Sequence, residues 1–224
     1  SDKIISLPKV CNALSRPKNL PDISALPYKS EKIFTFGSFN NFQKITDKTI
    51  DVWSKILIQT NSRIILKNSI IDSKDINFNL KEKFQKRGVK DNQIIILTFQ
   101  KDENDHLYNY NKIDVALDPF PYNGVTTTFE AILMGVPVLT LKGYNFNSRC
   151  GESININLDL EKFIASDYDE YINKAINFTK DEKYLSKLRE EIRTKALSSY
   201  LFKSEDFTEA FSQKMKDIWK NFLS

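Results

Sequence analysis

IDVALDPFPYNGVTTTFEAILMGVPVLTLKG, residues 113–143, contains one complete strand–helix–strand unit. Apolar runs at 113–117 and 136–141 predict two buried strands, and the Pro- and Gly-containing segment 118–124 predicts a turn after the first of them. A Thr triplet then opens a short apolar helix, which Gly135 ends. The pattern therefore predicts a βαβ unit with a right-handed crossover.

The start of this helix is a candidate anion-binding site. Free backbone N–H groups and the positive end of the helix dipole favour a phosphate there, and the hydroxyls of Thr126 and Thr127 add donors. Gly124 has no side chain, so a phosphate could approach the backbone closely. Glu130 lies one turn after Thr126 on the same face, where a carboxylate would suit a pair of sugar hydroxyls. From these residues alone, the alternative is that Thr126 is simply an N-cap.

Working outward, strands and helices alternate from residue 32 onward. A helix capped by Thr46 and a second helix ending at Gly88 separate the predicted strands, which are 33–36, 63–66 and 93–98. A short helix at 102–112 leads into the central unit. Alternation of this kind predicts an α/β fold, a Rossmann-like parallel sheet with helices on both faces. The G-x-G-x-x-G fingerprint is absent, so a dinucleotide is not implied.

Beyond residue 143 the strand pattern fades and helices are predicted. Their expected bounds are 147–154, 167–178, 181–196 and 204–222. The sequence DYDE at 167–170 has the Asp-x-Asp spacing of some metal sites, but acidic residues at a helix start explain it better.

Three segments follow from this pattern. Residues 1–31 contain four prolines and are predicted to be an extended connector, which suggests a fragment of a longer chain. Residues 32–200 form the predicted Rossmann-like domain. Residues 201–224 are predicted to be an amphipathic helix whose apolar stripe requires a cover; its members are Phe207, Phe211, Met215, Ile218 and Trp219.

The composition is typical of a globular chain and gives little support to several classes of function. The 224 residues are 41% hydrophobic and 28% charged, and the net charge of +4 comes from scattered basic residues, which does not favour a nucleic-acid partner. No apolar run reaches membrane-spanning length and the N-terminus has no signal-peptide core, so a cytoplasmic protein without a membrane partner is expected. Cys11 and Cys150 fit no metal spacing and are interpreted as ordinary thiols.

Several motifs agree in order and spacing with one family. DPFPYNGVTTTFEAILMGVPVLTL resembles the signature of the protein O-linked N-acetylglucosamine transferases and their bacterial relatives, the family also typified by SPINDLY. The further matches are FTFGSFNNFQKITDKTIDVWSKIL at 34–57, SRCG at 148–151, and YLSKLREEIR with SSYLF near the C-terminus. The resemblance implies the C-terminal, donor-binding half of a GT-B glycosyltransferase. It also implies an inverting transfer from a UDP-sugar, UDP-GlcNAc above all, to protein Ser or Thr, with no metal.

The resemblance assigns roles that the residues alone do not. Lys44 would otherwise be a surface lysine, and it aligns with the lysine that the family uses on the nucleotide diphosphate, the catalytic role. His106 would otherwise be a helix-surface residue, and it aligns with a histidine on the uridine side of the donor. The resemblance implies that Glu130 contacts the ribose and that Thr126 and Thr127 contact the phosphates. Arg149 is either a cation near the site or an ordinary surface arginine.

The sequence also departs from the animal enzymes. Val125 replaces a histidine, Glu130 an aspartate, Asn41 a glutamine and Asn109 an arginine. Asn41 remains a candidate donor-binding residue, and a UDP-sugar remains the expected donor.

The resemblance also implies a longer protein. The terminal helix would cross to a missing N-terminal domain, and the acceptor protein would bind there, so this part alone is expected to be inactive. Two alternatives stay open: a non-catalytic nucleotide-sugar sensor, and a phosphate-binding interaction domain without nucleotide preference.

Overall fold

A parallel β-sheet runs through the centre of the chain, as the alternating pattern predicts. The computed structural model describes residues 7, 9–68 and 74–223. Within them the sheet has six strands in the order β3-β2-β1-β4-β5-β6, and each neighbouring pair is parallel. The strands are β1 Thr35–Ser38, β2 Arg63–Lys67, β3 Ile94–Leu97, β4 Val115–Leu117, β5 Val138–Leu141 and β6 Ile164–Ala165. The predicted Rossmann-like α/β fold is confirmed.

Helices connect the strands and cover the sheet. Their bounds are α1 Tyr28–Glu31, α2 Asp47–Thr60, α3 Lys74–Gln85, α4 Glu103–Tyr108, α5 Thr126–Leu133, α6 Cys150–Ile156, α7 Tyr168–Phe178, α8 Glu182–Ser198 and α9 Ser204–Leu223. In the described part of the chain, none of these helices combines the length and apolar character needed to span a bilayer.

The apolar side chains form a core on each face of the sheet. Successive residues of a strand point to opposite faces, and Ile64 and Leu66 accordingly belong to one cluster while Ile65 belongs to the other. The larger cluster is built around Trp53 and the smaller one contains Tyr110. The sheet is therefore buried on both faces, as continuous apolar strands require.

The strand order reverses between β1 and β4, and this reversal positions the candidate site. β1 pairs with β2 on one side and with β4 on the other. The chain therefore runs from β1 toward the β3 edge of the sheet and from β4 toward the β6 edge. In open α/β sheets, ligands bind in the crevice that this arrangement leaves at the carboxyl ends of the strands. The loops after Ser38 and Leu117 border that crevice.

Local capping explains where two of the predicted helices begin. The Thr46 hydroxyl accepts from Thr49 N–H at 3.1 Å and caps α2, as predicted. Asp167 caps α7 by accepting from Glu170 N–H at 2.8 Å, which agrees with the interpretation of DYDE as a helix start.

Other details differ from the sequence predictions. The predicted helix at 102–112 is α4 followed by the 3-10 turn Asn109–Lys112. Strand β6 has two residues, which is too short to produce a periodic pattern. Parts of two predicted segments, residues 1–6 and 8 of the connector and residue 224 of the last helix, lie outside the described residues.

The segment that precedes the sheet is fastened to it by buried polar contacts. The Asp114 carboxylate accepts from Tyr28 N–H at 2.9 Å and from Thr35 N–H at 2.8 Å. The buried Arg189 guanidinium donates to Ser24 O and Ile113 O, each at 2.9 Å. These contacts join the connector, the start of β1 and the entry to β4 through the buried side chains of Asp114 and Arg189.

Close packing beneath the sheet gives a test of the core. A Cβ at Gly37 would lie 2.6 Å from both Cδ1 and Cγ2 of the buried Ile113. Gly37→Ala should therefore lower the free energy of unfolding by about 1–3 kcal/mol, the usual cost of overpacking. Urea unfolding followed by circular dichroism measures the loss.

A double variant identifies the cause of that loss. Ile113→Ala removes the two carbon atoms that would lie 2.6 Å from the new Cβ and leaves only Ile113 Cβ at 3.1 Å. The double variant should therefore lose less stability than the two single variants added together. Strict additivity would contradict the proposed clash.

Candidate functional site

The loop after β4 is held by a buried carboxylate. Asp118 Oδ1 accepts from Gly124 N–H at 2.6 Å, and Asp118 Oδ2 accepts from the Thr140 hydroxyl on β5 at 2.9 Å. Burial raises the pKa of Asp118 to about 7, and the two hydrogen bonds and the Lys44 cation oppose that rise. The carboxylate thus fixes both ends of the loop at 118–124 and the start of α5.

Gly124 has a packing role in addition to the predicted one, which stays a prediction. Its N–H is bonded to Asp118, so that N–H is not among the donors that the helix start can offer. A Cβ at Gly124 would lie 2.4 Å from Thr127 Oγ1, 2.9 Å from Asn40 Oδ1 and 3.0 Å from Thr128 Oγ1. The missing side chain makes room for polar groups to converge at the start of α5.

The first turn of α5 carries the free donors. Val125 occupies the N-cap position without a side-chain cap, so the alternative of Thr126 as the N-cap is wrong. The N–H groups of Thr128 and Phe129 donate to Val125 O, each at 3.0 Å. The N–H groups of Thr126 and Thr127 come before these first helical bonds and have no carbonyl partner within the helix. Thr126 is exposed, and the Thr127 hydroxyl donates to Asn40 Oδ1 at 3.0 Å.

Two buried polar atoms at the same place lack partners. Among the described residues, the Thr128 hydroxyl and the Asn123 side-chain oxygen are buried without a hydrogen bond. Such atoms are uncommon in folded proteins, and they are often found where a ligand or water supplies the missing partner.

Lys44 lies beside this helix start. It ends the 3-10 turn Phe42–Lys44 after β1, and its ammonium donates to Asn123 O at 3.0 Å and lies 4.0 Å from the centre of the Tyr122 ring. Burial lowers the pKa of Lys44, and the negative charge of Asp118 partly opposes this effect. The structure therefore places Lys44 next to the loop of Gly124, as predicted. Asn41 caps the same turn by accepting from Gln43 N–H at 3.0 Å.

His106 and Glu130 form a second group, deeper along α5. His106 Nε2 lies 3.0 Å from Glu130 Oε2, and the Tyr110 hydroxyl donates to the same oxygen at 3.0 Å. Lys67 Nζ lies 2.5 Å from His106 Nδ1. A protonated lysine can only donate, so His106 Nδ1 accepts from Lys67 and His106 Nε2–H donates to the Glu130 carboxylate. The His106 ring thus lies between the Lys67 ammonium and the Glu130 carboxylate.

Burial and charge surround this second group. Burial lowers the pKa of Lys67, while the negative charge of Glu130 opposes that change. Burial, and then the charge of Glu130, raise the pKa of Tyr110 well above its usual value. The Phe39 ring packs on Tyr110 with 4.5 Å between ring centres. The histidine and the glutamate keep 15% and 22% of their side chains exposed, so a ligand can reach both.

Arg149 is held elsewhere. Its guanidinium pairs with Glu152 Oε2 at 2.6 Å, and Lys142 pairs with the other oxygen of Glu152 at 3.0 Å. It contributes to the wall of a cavity of about 590 Å³ that also includes Tyr144 and Phe146. Among the described residues, no hydrogen bond or ion pair joins the Arg149 side chain to the other predicted site residues.

Four residues of the site were missed by the sequence analysis: Asn40, Lys67, Tyr110 and Asp118. Asp118 and Lys67 had a visible signal, since each is a charged residue at the carboxyl end of an apolar strand. Asn40 and Tyr110 had none, because their roles depend on the directions of side chains from separate elements. Within the described ranges, no three His, Cys, Asp or Glu side chains are grouped as metal ligands would be.

Sequence comparison identifies related proteins. The profile of glycosyl transferase family 41 matches residues 23–211. The chain is 29% identical over 222 residues to the Hordeum vulgare protein described as a probable UDP-N-acetylglucosamine–peptide N-acetylglucosaminyltransferase SPINDLY, covering 99% of this chain and 24% of that protein. It is 25% identical over 190 residues to a Caenorhabditis elegans UDP-N-acetylglucosamine–peptide N-acetylglucosaminyltransferase, covering 84% and 16%. The chain thus spans about a quarter or less of these relatives.

Solved structures show the same architecture. A mutant of the Thermobaculum terrenum O-GlcNAc transferase superposes with a TM-score of 0.78 at 29% identity, covering 97% of this chain and 40% of that one. Anabaena HepE in complex with UDP superposes with a TM-score of 0.57 at 16% identity, covering 81% and 49%. The second likeness supports the fold alone.

The charge of the buried Asp118 gives a pH test. The pKa of Asp118 rises from 3.8 to about 7 on folding, so the native state binds its proton more tightly than the unfolded state. The stability associated with that proton is fully present below about pH 4 and is lost as the pH rises through about 7. The free energy of unfolding of the native chain, minus that of Asp118→Asn, should therefore fall as the pH rises, by at most about 1.4 kcal/mol per pH unit.

Urea unfolding of both proteins across this pH range measures the difference. Asp114, whose pKa burial raises to about 6, is present in both proteins and cancels. A difference that does not change with pH would show that Asp118 is ionised in the native state throughout.

Proposed function

The chain belongs to glycosyl transferase family 41, and from this membership we propose that it binds the UDP-sugar donor of an inverting, metal-independent protein O-glycosyltransferase. UDP-GlcNAc is the donor we favour, and protein Ser or Thr hydroxyls are the acceptors. The observation that carries the proposal is the meeting of Lys44 with the α5 start at the point where the strand order reverses.

The diphosphate would lie between Lys44 and the first turn of α5. The half-buried ammonium and the N–H groups of Thr126 and Thr127 are fixed donors at a helix N-terminus, which favours an anion. The unpartnered Thr128 hydroxyl and Asn123 oxygen are further polar groups at this place. When the sugar leaves, the extra negative charge develops on the diphosphate, and preorganised donors stabilise it most in the transition state. Lys44 therefore has the catalytic role, and no metal is assigned.

The nucleoside would lie toward Glu130 and His106. Glu130 is three residues beyond Thr127 and projects from the same helix, so a ligand with its phosphates at the helix start brings its ribose near this carboxylate. His106 and Tyr110 hold the carboxylate by hydrogen bonds of 3.0 Å each. The His106 ring would line the site on the uridine side, and the Phe39 ring packs near it with 6.2 Å between ring centres. Asn41 is close in sequence to Lys44 and is proposed to contact the donor; Arg149 would require a change of partner to do so.

The acceptor side would be supplied by other parts of a longer protein. The chain spans 24% of the Hordeum vulgare relative, and we propose that an N-terminal domain faces the carboxyl edge of the sheet and completes the cleft. Helix α9 would pack on that domain, since its exposed apolar residues form one side: Phe211, Met215, Trp219 and Phe222. The part described here would then bind the nucleotide and transfer sugar poorly or not at all.

Titration calorimetry with UDP tests the proposal. UDP should bind, whereas ADP and GDP at the same concentration should bind far more weakly if the proposed uridine side of the site recognises the base. Lys44→Ala should weaken UDP binding by about 10- to 100-fold, the usual loss for a charge-assisted hydrogen bond to a diphosphate.

Lys55→Ala is the matched control, because Lys55 is an exposed lysine on α2. Equal affinity for all three diphosphates would contradict the donor-binding proposal and favour a phosphate-binding domain without nucleotide preference. Binding of UDP that Lys44→Ala leaves unchanged would contradict the position assigned to the diphosphate.

Glu130 can be tested with a ligand that lacks one ribose hydroxyl. The native chain should bind UDP about tenfold more tightly than 2′-deoxy-UDP, because the carboxylate accepts from the ribose. In Glu130→Gln the charge is lost while the shape is kept, so this preference should shrink by several-fold in the same titrations. Glu103→Gln, on the exposed side of α4, should keep the native preference. An unchanged preference in Glu130→Gln would place the ribose elsewhere.

A further inference from the structure

The fold brings Cys11 and Cys150 together. They are the only cysteines of the chain and are 139 positions apart in sequence, yet the Asn12 side-chain nitrogen lies 3.6 Å from the Cys11 sulfur and 4.0 Å from the Cys150 sulfur. The Cys11 sulfur also lies 3.6 Å from the hydroxyl of Ser153, one turn beyond Cys150 on α6. Both sulfurs are free thiols in this structure.

Each cysteine is held in place by its surroundings. Val10 is buried in the main core, and Leu14 N–H donates to Leu201 O at 2.9 Å, so the segment between them lies against the domain on both sides of Cys11. Cys150 begins α6, and its thiol donates to Phe146 O at 3.2 Å. The closeness of the two sulfurs to the same Asn12 nitrogen is therefore set by segments that are packed on both sides.

The two thiols differ in access to solvent. Cys11 is partly exposed and lines the groove of about 590 Å³ that opens beside Arg149. Cys150 is 1% exposed. A small oxidant that enters the groove meets Cys11 first, and Cys150 is the only other thiol that can react with the product within the same chain.

We propose that Cys11 and Cys150 are a site of reversible oxidation, at which peroxide forms a disulfide between the N-terminal segment and the start of α6. The Cys11 thiolate attacks one oxygen of hydrogen peroxide, the O–O bond breaks, and a sulfenic acid and hydroxide are formed. The Cys150 thiolate then attacks the Cys11 sulfur, an S–S bond forms, and the S–O bond breaks with release of hydroxide. Two thiols lose two electrons and two protons, and the peroxide becomes two waters.

The surroundings of Cys150 determine how fast the second step proceeds. Burial raises the pKa of this thiol to about 11, the charges of Cys11 and Asp118 act in the same direction, and Lys44 opposes them. The Cys150 thiolate is therefore scarce at neutral pH. As the pH rises toward the pKa of about 11, the second step should become about tenfold faster per pH unit. The Cys150 thiolate and the Lys44 ammonium also attract each other, so the proposed disulfide site interacts electrostatically with Lys44.

Peptide mapping tests the proposal directly. The folded chain is treated with hydrogen peroxide, remaining thiols are blocked with N-ethylmaleimide, and the chain is digested with trypsin without reduction. Cleavage after Lys9 and Arg149 releases two peptides that begin at residues 10 and 150. We expect them joined in one species, lighter than the two peptides together by two hydrogen atoms and separated by dithiothreitol. The oxidised chain should remain monomeric and melt roughly 10 °C higher, because the bond closes a long loop in the unfolded state.

Cys11→Ser and Cys150→Ser are the controls, and neither should show the joined peptides or the rise in melting temperature. Dimers joined through Cys11, or Cys11 oxidised to sulfinic acid while Cys150 stays reduced, would overturn the proposal. So would joined peptides that form equally well in urea, since the native contact would then have no part in the reaction.

Discussion

The buried carboxylate of Asp118 holds the candidate site together. It joins the first residue after β4 to Gly124 and to β5, through hydrogen bonds of 2.6 and 2.9 Å. A Cβ at Gly151 would lie 2.7 Å from its second oxygen, so α6 must also approach closely here. Because these contacts fix where α5 begins, the donors of its first turn, and the carbonyl of Asn123 that Lys44 contacts, depend on this one group. The positive charge of Lys44 is near enough to lower the pKa of Asp118, against the effect of burial.

The two halves of the site lie at the carboxyl edge of the sheet, one beside the reversal of strand order and the other beside the neighbouring strand β2. Residues after β1 and β4 supply the cation and the helix start, whereas the ends of β2 and the helix α4 supply Lys67 and His106. Helix α5 connects the halves, since Thr127 and Glu130 lie on it one turn apart. A nucleoside diphosphate likewise joins an anionic group to a polar ring system, and we propose that each half of the site binds one of them. The family match rests on the sequence of residues 23–211, and the proposed position of the donor rests on this geometry.

The sequence predicts what local pattern determines. Continuous apolar runs predicted five of the strands, and the cap of α2 at Thr46 followed from its residue type. Contacts between distant segments were not predictable: the Lys67–His106 contact depends on two side chains from separate elements, and the meeting of Cys11 with Cys150 depends on the whole fold. The prediction that Gly124 lets a phosphate approach the backbone stays a prediction; the packing of three polar side-chain atoms within 3.0 Å of its missing Cβ was not predictable from sequence.

A crystal structure of this chain with UDP tests the central claim most directly. The account predicts diphosphate oxygens within hydrogen-bond distance of Lys44 Nζ and of the N–H groups of Thr126 and Thr127, with the ribose against Glu130. UDP bound instead in the groove beside Arg149, or in the cavity of about 470 Å³ between α7 and α8, would contradict it.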